Sequence, residues 1–132
     1  MAHALPGYDG DCRNLHGHSF RLEVTITGQP LDHPGHPKNG MVMDFKDLKK
    51  MVKTAVLDQF DHALVLPDAF QPELVESMRQ HFQKIITMPF QPTCERMIVY
   101  FAQQIQVLMP QHIQLKKLTL YETTTSFATL EF

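Results

Sequence analysis

From Phe20 to Thr27 the chain alternates strictly, with Phe20, Leu22, Val24 and Ile26 on one side and Arg21, Glu23, Thr25 and Thr27 on the other. Successive side chains of a strand point to opposite faces, so the run predicts a strand with one face in a core and one in water. Read upstream, the core-facing phase continues through His18 and His16, which sets two imidazoles side by side where that face begins. Borderline ions such as zinc favour imidazole nitrogen, and three protein ligands plus one open position is the catalytic arrangement. His3 is the candidate third ligand, because the turn-forming residues Pro6-Gly7-Tyr8-Asp9-Gly10 could fold it back beside the pair. A single His-x-His is only moderately specific, and histidines without a metal are the plainer alternative. Cys12, four residues before His16, favours the metal. A thiol next to a metal or an imidazolium is available as a thiolate, and so as a base or nucleophile. Its alternatives are a small buried hydrophobe or a fourth, structural ligand.

The remaining chain reads as one domain over residues 1–132, large enough for a single core at 43% hydrophobic content. A net charge of −2 without a basic run argues against a nucleic-acid partner. No apolar run is long enough to span a bilayer, and two cysteines make no disulfide framework, so a reduced, cytoplasmic protein is expected. After the strand ending at Gly28 comes a loop, Gln29 to Gly40, with three prolines; His33 and His36 there read as surface residues. Met41 to Phe45 reads as a second strand, antiparallel to the first. Asp44 then caps a helix from Lys46 to Phe60, with Lys46, Lys49, Lys50 and Lys53 on its wet side. Asp61-His62 follows at the helix end, where an aspartate can orient a histidine. Pro67 to Gln91 reads as an insert with a short helix around Leu74, Val75 and Met78 and a short strand from Ile85 to Met88. Thr93 caps the clearest helix, with Glu95 in its first turn and a buried stripe of Ile98, Phe101, Ala102, Ile105 and Leu108. Leu118, Leu120 and Glu122 share one face of a strand from Leu115 to Thr123, and a last strand runs from Phe127 to Phe132. A carboxylate on an apolar face is costly unless it meets donors, so Glu122 needs a protein partner or a ligand. The order predicts an α+β fold, a four-stranded antiparallel sheet with two main helices on one face. Such a sheet has two edges to cover, and assembly through them is a natural solution.

Six segments occur in order along nearly the whole chain: Ala2-His3-Ala4-Leu5-Pro6, Cys12-x3-His16-Gly17-His18, Gly40-Met41-Val42-Met43-Asp44-Phe45, Asp61-His62, Pro92-Thr93-x-Glu95 and Tyr121-Glu122-Thr123. Together they resemble the 6-pyruvoyl-tetrahydropterin synthase family. The Cys-x3-His-Gly-His spacing looks most like its bacterial branch, 6-carboxy-tetrahydropterin synthase of queuosine biosynthesis. The resemblance implies the tunnelling fold (T-fold), with subunits joined through their sheets as a homo-oligomer, typically a hexamer of two trimers, and active sites between subunits. It further implies zinc on His3, His16 and His18, Cys12 as proton-abstracting base, and His62 with Asp61 as a charge relay. Glu122 would hold the amino and ring N–H groups of a small-molecule pterin, and backbone around Thr93 would line the same pocket. The implied substrate is 7,8-dihydroneopterin triphosphate. The 6-carboxy, 6-pyruvoyl and non-catalytic, zinc-stabilised pterin- or purine-binding readings all stand at this point. This sequence departs from the family pattern in its longer Pro67–Gln91 segment, in Arg96 where asparagine is common, and in beginning almost on His3.

Overall fold

The computed structural model describes residues 1–132. In chain order it contains β1 (Ala2–His3), a 3₁₀ turn (Asp11–Arg13), β2 (His16–Gly17), β3 (Arg21–Gly28), α1 (Phe45–Val52), a π-helical turn (Lys53–Leu57), α2 (Asp58–Phe60) and β4 (Leu64–Pro67). It continues with α3 (Pro72–Arg79), β5 (Ile85–Met88), α4 (Cys94–Leu108), β6 (Ile113–Tyr121) and β7 (Phe127–Glu131).

The fold is α+β, and its strands form two sheets. The long strands make an antiparallel sheet in the order β3-β6-β7, and the short ones a second sheet in the order β2-β1-β4-β5. In β3 the alternation holds as predicted, with Leu22, Val24 and Ile26 half-buried and Arg21, Glu23, Thr25 and Thr27 exposed. β6 pairs along its whole length and carries an irregularity opposite Thr25 and Ile26. That extra residue lets Ile113 and Leu115 share the buried side with Leu118 and Leu120. On the other face of this sheet Thr119 and Thr129 meet through their hydroxyls at 3.3 Å.

α4 packs across β6 and β7, burying Met97, Ile98, Phe101, Ala102 and Ile105. Leu108, expected in that stripe, is 45% exposed, because the chain turns away at Met109 just past it, and Met97 fills the core instead. Helix α1 begins at Phe45, with the Asp44 side chain accepting from the backbone N–H of Lys46 at 2.8 Å. Backbone dihedrals stay right-handed helical through the π turn into α2, so the three pieces run on as one rod. The wider π turn keeps Val52, Val56 and Phe60, four residues apart, turned to the core, where an α-helix alone would drift.

Two sequence expectations about strands need correction. Met41 to Phe45 forms no strand: Met41 and Gly40 bond back across their own loop to Leu31, and Phe45 already belongs to α1. The antiparallel sheet therefore has three long strands within the chain rather than four. The predicted strand from His16 to Thr27 is also interrupted at His18 to Phe20, because its two halves have different partners. His16–Gly17 pairs with Ala2–His3, whereas β3 pairs with β6. The chain thus crosses from one sheet to the other at His18. The Pro67–Gln91 segment contains the expected short helix and strand, α3 and β5, with β5 parallel to β4 and β4 parallel to β1.

Candidate metal centre

At the seam between the sheets, pairing of β1 with β2 sets His3 opposite His16, and the crossing segment brings in His18. Their ring centroids lie 4.5 Å (His3–His16), 5.4 Å (His3–His18) and 5.0 Å (His16–His18) apart. One ligand nitrogen from each falls within 4.8 Å of the others. Phe20, in phase with the two histidines of the strand, sets its ring edge-on against His3 and His18 at 5.6 Å each.

The hydrogen bonds decide which nitrogens are free. His3 Nδ1 lies 2.8 Å from the carbonyl oxygen of Pro92, and His16 Nδ1 lies 2.7 Å from that of Asn14. A carbonyl only accepts, so both rings carry their proton on Nδ1 and leave a lone pair on Nε2. The Nε2 atoms of His3, His16 and His18 are all buried and without a hydrogen-bond partner. Buried polar atoms in native proteins are nearly always satisfied, so three convergent orphans call for something electrophilic among them. A metal-ligating histidine characteristically donates its other N–H to a carbonyl or carboxylate, as His3 and His16 do. Burial holds the His3 pKa below its ordinary value; His16 and His18 push the same way, while the Pro92 carbonyl and Glu122 oppose them. The donor set fits a divalent ion of zinc type.

Glu122 lies just beyond β6, at the same seam. Its Oε1 is 3.4 Å from His3 Nε2 and 3.9 Å from His18 Nε2, close to both nitrogens but hydrogen-bonded to neither. The carboxylate expected to hold a ligand thus stands beside the histidine cluster. Thr93 caps α4 beside Pro92, its hydroxyl 3.4 Å from the backbone N–H of Arg96. Cys12 is half-buried on the 3₁₀ turn; its carbonyl accepts from Leu5 N–H at 2.9 Å and its thiol has no hydrogen-bond partner. Asp61 and His62 pair with each other, Oδ1 to Nδ1 at 3.1 Å, but are 66% and 89% exposed and make no polar contact with the histidine cluster. Cys94 is buried, its thiol donating to the Leu120 carbonyl at 3.1 Å. His33 and His36 stack in the exposed loop, away from any third ligand. Sequence reasoning did not find the carbonyls of Pro92 and Asn14, which have no side-chain signature. Phe20 was placed on the face of His16 and His18 by the alternation, though its packing against two of the rings was not.

The 6-pyruvoyl tetrahydropterin synthase family profile matches residues 1–131. A Haemophilus influenzae protein named 6-carboxy-5,6,7,8-tetrahydropterin synthase is 34% identical over 129 residues, spanning 96% of this chain and 89% of that protein. Among solved structures, the Caenorhabditis elegans 6-pyruvoyl tetrahydropterin synthase superposes with a TM-score of 0.66 at 26% identity, over 99% of this chain and 87% of that one. The Plasmodium vivax 6-pyruvoyl tetrahydropterin synthase gives 0.69 at 18% identity, over 98% and 87%. These likenesses identify the architecture as the T-fold. No helix of the structure is long and apolar enough to cross a membrane.

Proposed function

Since this chain belongs to the 6-pyruvoyl tetrahydropterin synthase family, we propose that it is a zinc-dependent lyase that converts 7,8-dihydroneopterin triphosphate to 6-carboxy-5,6,7,8-tetrahydropterin, releasing acetaldehyde and triphosphate. Preference for the carboxy product rests on the names of its relatives at 30–34% identity. This assignment places the protein in queuosine biosynthesis, in the cytoplasm. The observation that carries the metal dependence is the convergence of three buried, unpartnered Nε2 atoms, two of them on rings pinned through Nδ1.

Bound zinc supplies Lewis-acid polarisation of side-chain oxygens next to the carbon that loses its proton. The protein does the rest. Cys12, as thiolate, takes that proton, and His62 relays it while Asp61 holds the imidazole in one tautomer. Glu122 accepts from the pterin's amino and ring N–H groups, which orients the side chain toward the histidines next to it. The backbone around Thr93 walls the pocket. Asp61 and His62 face outward from a single chain; a homo-oligomer with active sites between subunits would bring them to the Cys12 of a neighbour.

Incubating the zinc-loaded protein with dihydroneopterin triphosphate and identifying the products tests the assignment. Acetaldehyde is expected. Triphosphate release with every side-chain carbon retained would replace it with the 6-pyruvoyl reaction, and no consumption would leave a pterin-binding protein. Cys12→Ala is expected to keep stoichiometric zinc while turnover falls by about 10²- to 10⁴-fold, the usual contribution of a positioned acid–base group. Equal loss of zinc would make Cys12 a ligand.

A further inference from the structure

His62 is the only residue other than glycine with a positive φ, at 60°. A histidine with its Cβ is disfavoured in that left-handed region, so such a residue persists only where its surroundings impose it. Its own side chain imposes little, because its one polar contact is Asp61 and both are exposed. The constraint comes from the backbone on either side, and one residue holds much of it. The Lys84 ammonium donates to the carbonyl oxygens of Asp58 and Asp61, each at 3.0 Å. Both are among the carbonyls a helix leaves unpaired at its C-terminus, where a cation also complements the macrodipole. On the other side of His62, the Lys84 carbonyl accepts from the N–H of Leu64 at 2.9 Å, extending the β4–β5 ladder. Lys84 therefore grips the chain before and after the turn that presents His62. Bonds from Asp61 N–H to Leu57 O at 2.9 Å and from Ala63 N–H to Phe60 O at 3.1 Å complete the frame.

We propose that Lys84 is a positioning residue for the proposed reaction, fixing the backbone from which the Asp61–His62 pair is aimed at the thiol. This rests on the reading of His62 as the proton relay. It gives the Pro67–Gln91 segment a purpose beyond packing: α3 and β5 deliver a cation to the C-terminal end of α2. A proton relay tolerates little error in aim, since a misplacement near 1 Å at a reacting group can cost about 100-fold in rate.

The test compares zinc-loaded Lys84→Met, Lys84→Arg, His62→Ala and the double variant Lys84→Met/His62→Ala, with dihydroneopterin triphosphate as substrate. Lys84→Met keeps the aliphatic stem and removes the donor; kcat is expected to fall about 10- to 100-fold with KM and zinc content nearly unchanged. Lys84→Arg should recover most of the loss. The double variant should be no slower than His62→Ala alone, because a residue acting through His62 has nothing left to position. Losses that multiply, or full turnover in Lys84→Met where His62→Ala is impaired, would overturn the proposal while leaving the relay intact. Full turnover in His62→Ala would overturn the relay and, with it, the role of Lys84. Amide exchange gives a reading independent of turnover. Faster exchange confined to Asp61–Ala63, with α4 unchanged, is expected in Lys84→Met, and unaltered exchange there would count against the grip.

Discussion

The two cysteines have been given opposite fates by their surroundings. Cys94 sits under β6 and is 9% exposed, and burial pushes its thiol up to about 11, with Glu122 and Glu95 adding to the push and an Ala128 backbone contact opposing it. A thiol held protonated is a poor nucleophile. At pH 8 the native protein should accordingly take up one equivalent of iodoacetamide, at half-exposed Cys12, and a second only in denaturant; mass spectrometry of the alkylated peptides checks this. The same shift makes an alkaline prediction. Between the ordinary value of 9.0 and about 11 the unfolded chain has released the Cys94 proton and the folded chain has not. Folding is then penalised increasingly as pH rises through that window, and the loss is complete above it. Denaturant titrations at pH 8 and pH 11 should show that Cys94→Ala loses less stability over this interval than the wild type. Glu122, two residues beyond Leu120, shows how far such local readings extend. The sequence marks it as a carboxylate on an apolar face needing a partner, but only the folded chain reveals that it stands beside the histidine cluster.

Among the elements, those that repeat one pattern for several turns or pairs were readable, whereas the pairing partners of the short strands were not. α4 has its cap, its acidic first turn and most of its stripe written locally. Thr93→Ala should therefore cost about 1 kcal/mol of stability, the common worth of an N-cap, with Thr93→Ser close to neutral, as thermal melts would report. If backbone walls the pocket there, as proposed, the folded Thr93→Ala protein should retain its turnover. β3 was equally legible from its alternation. By contrast, Met41 to Phe45 has strand-like composition, but Gly40 and Met41 bond to Leu31 across their own loop and Phe45 already opens α1, so the segment never reaches the free edge of β3. β5 was read correctly from Ile85 to Met88, but β1, β2 and β4 are two to four residues long, too short for any periodicity to show, and the parallel pairing of β1, β4 and β5 spans large sequence separations. The histidine cluster is assembled by pairings that no local pattern records: His3 meets His16 only because β1 pairs with β2. Histidine spacing could nominate the ligands, yet the carbonyls of Pro92 and Asn14 that fix their tautomers depend on tertiary position alone.

At the scale of the whole molecule, the distribution of candidate groups sets one requirement that a single chain does not meet. His3, His16, His18 and Glu122 converge at the seam between the sheets, while Asp61 and His62 point into solvent from the end of the long helical rod. The three-stranded sheet leaves one edge of β3 and one of β7 unpaired. Free edges on both sides of one sheet favour head-to-tail assembly, which closes into a ring when the rotation per subunit allows. If the thiol of one subunit works with the imidazole of the next, two inactive variants should repair each other. Cys12→Ala subunits retain His62, and His62→Ala subunits retain Cys12. When equal amounts are dissociated, mixed and reassembled, random assortment gives about one site in four with both groups intact. Activity near a quarter of the wild-type value per site is expected, against almost none for either variant alone. A mixture no more active than its parents, although native mass spectrometry shows the subunits have exchanged, would place Cys12 and His62 of each site in one chain, and the outward-facing pair at the end of α2 would then need to swing inward to reach the thiol.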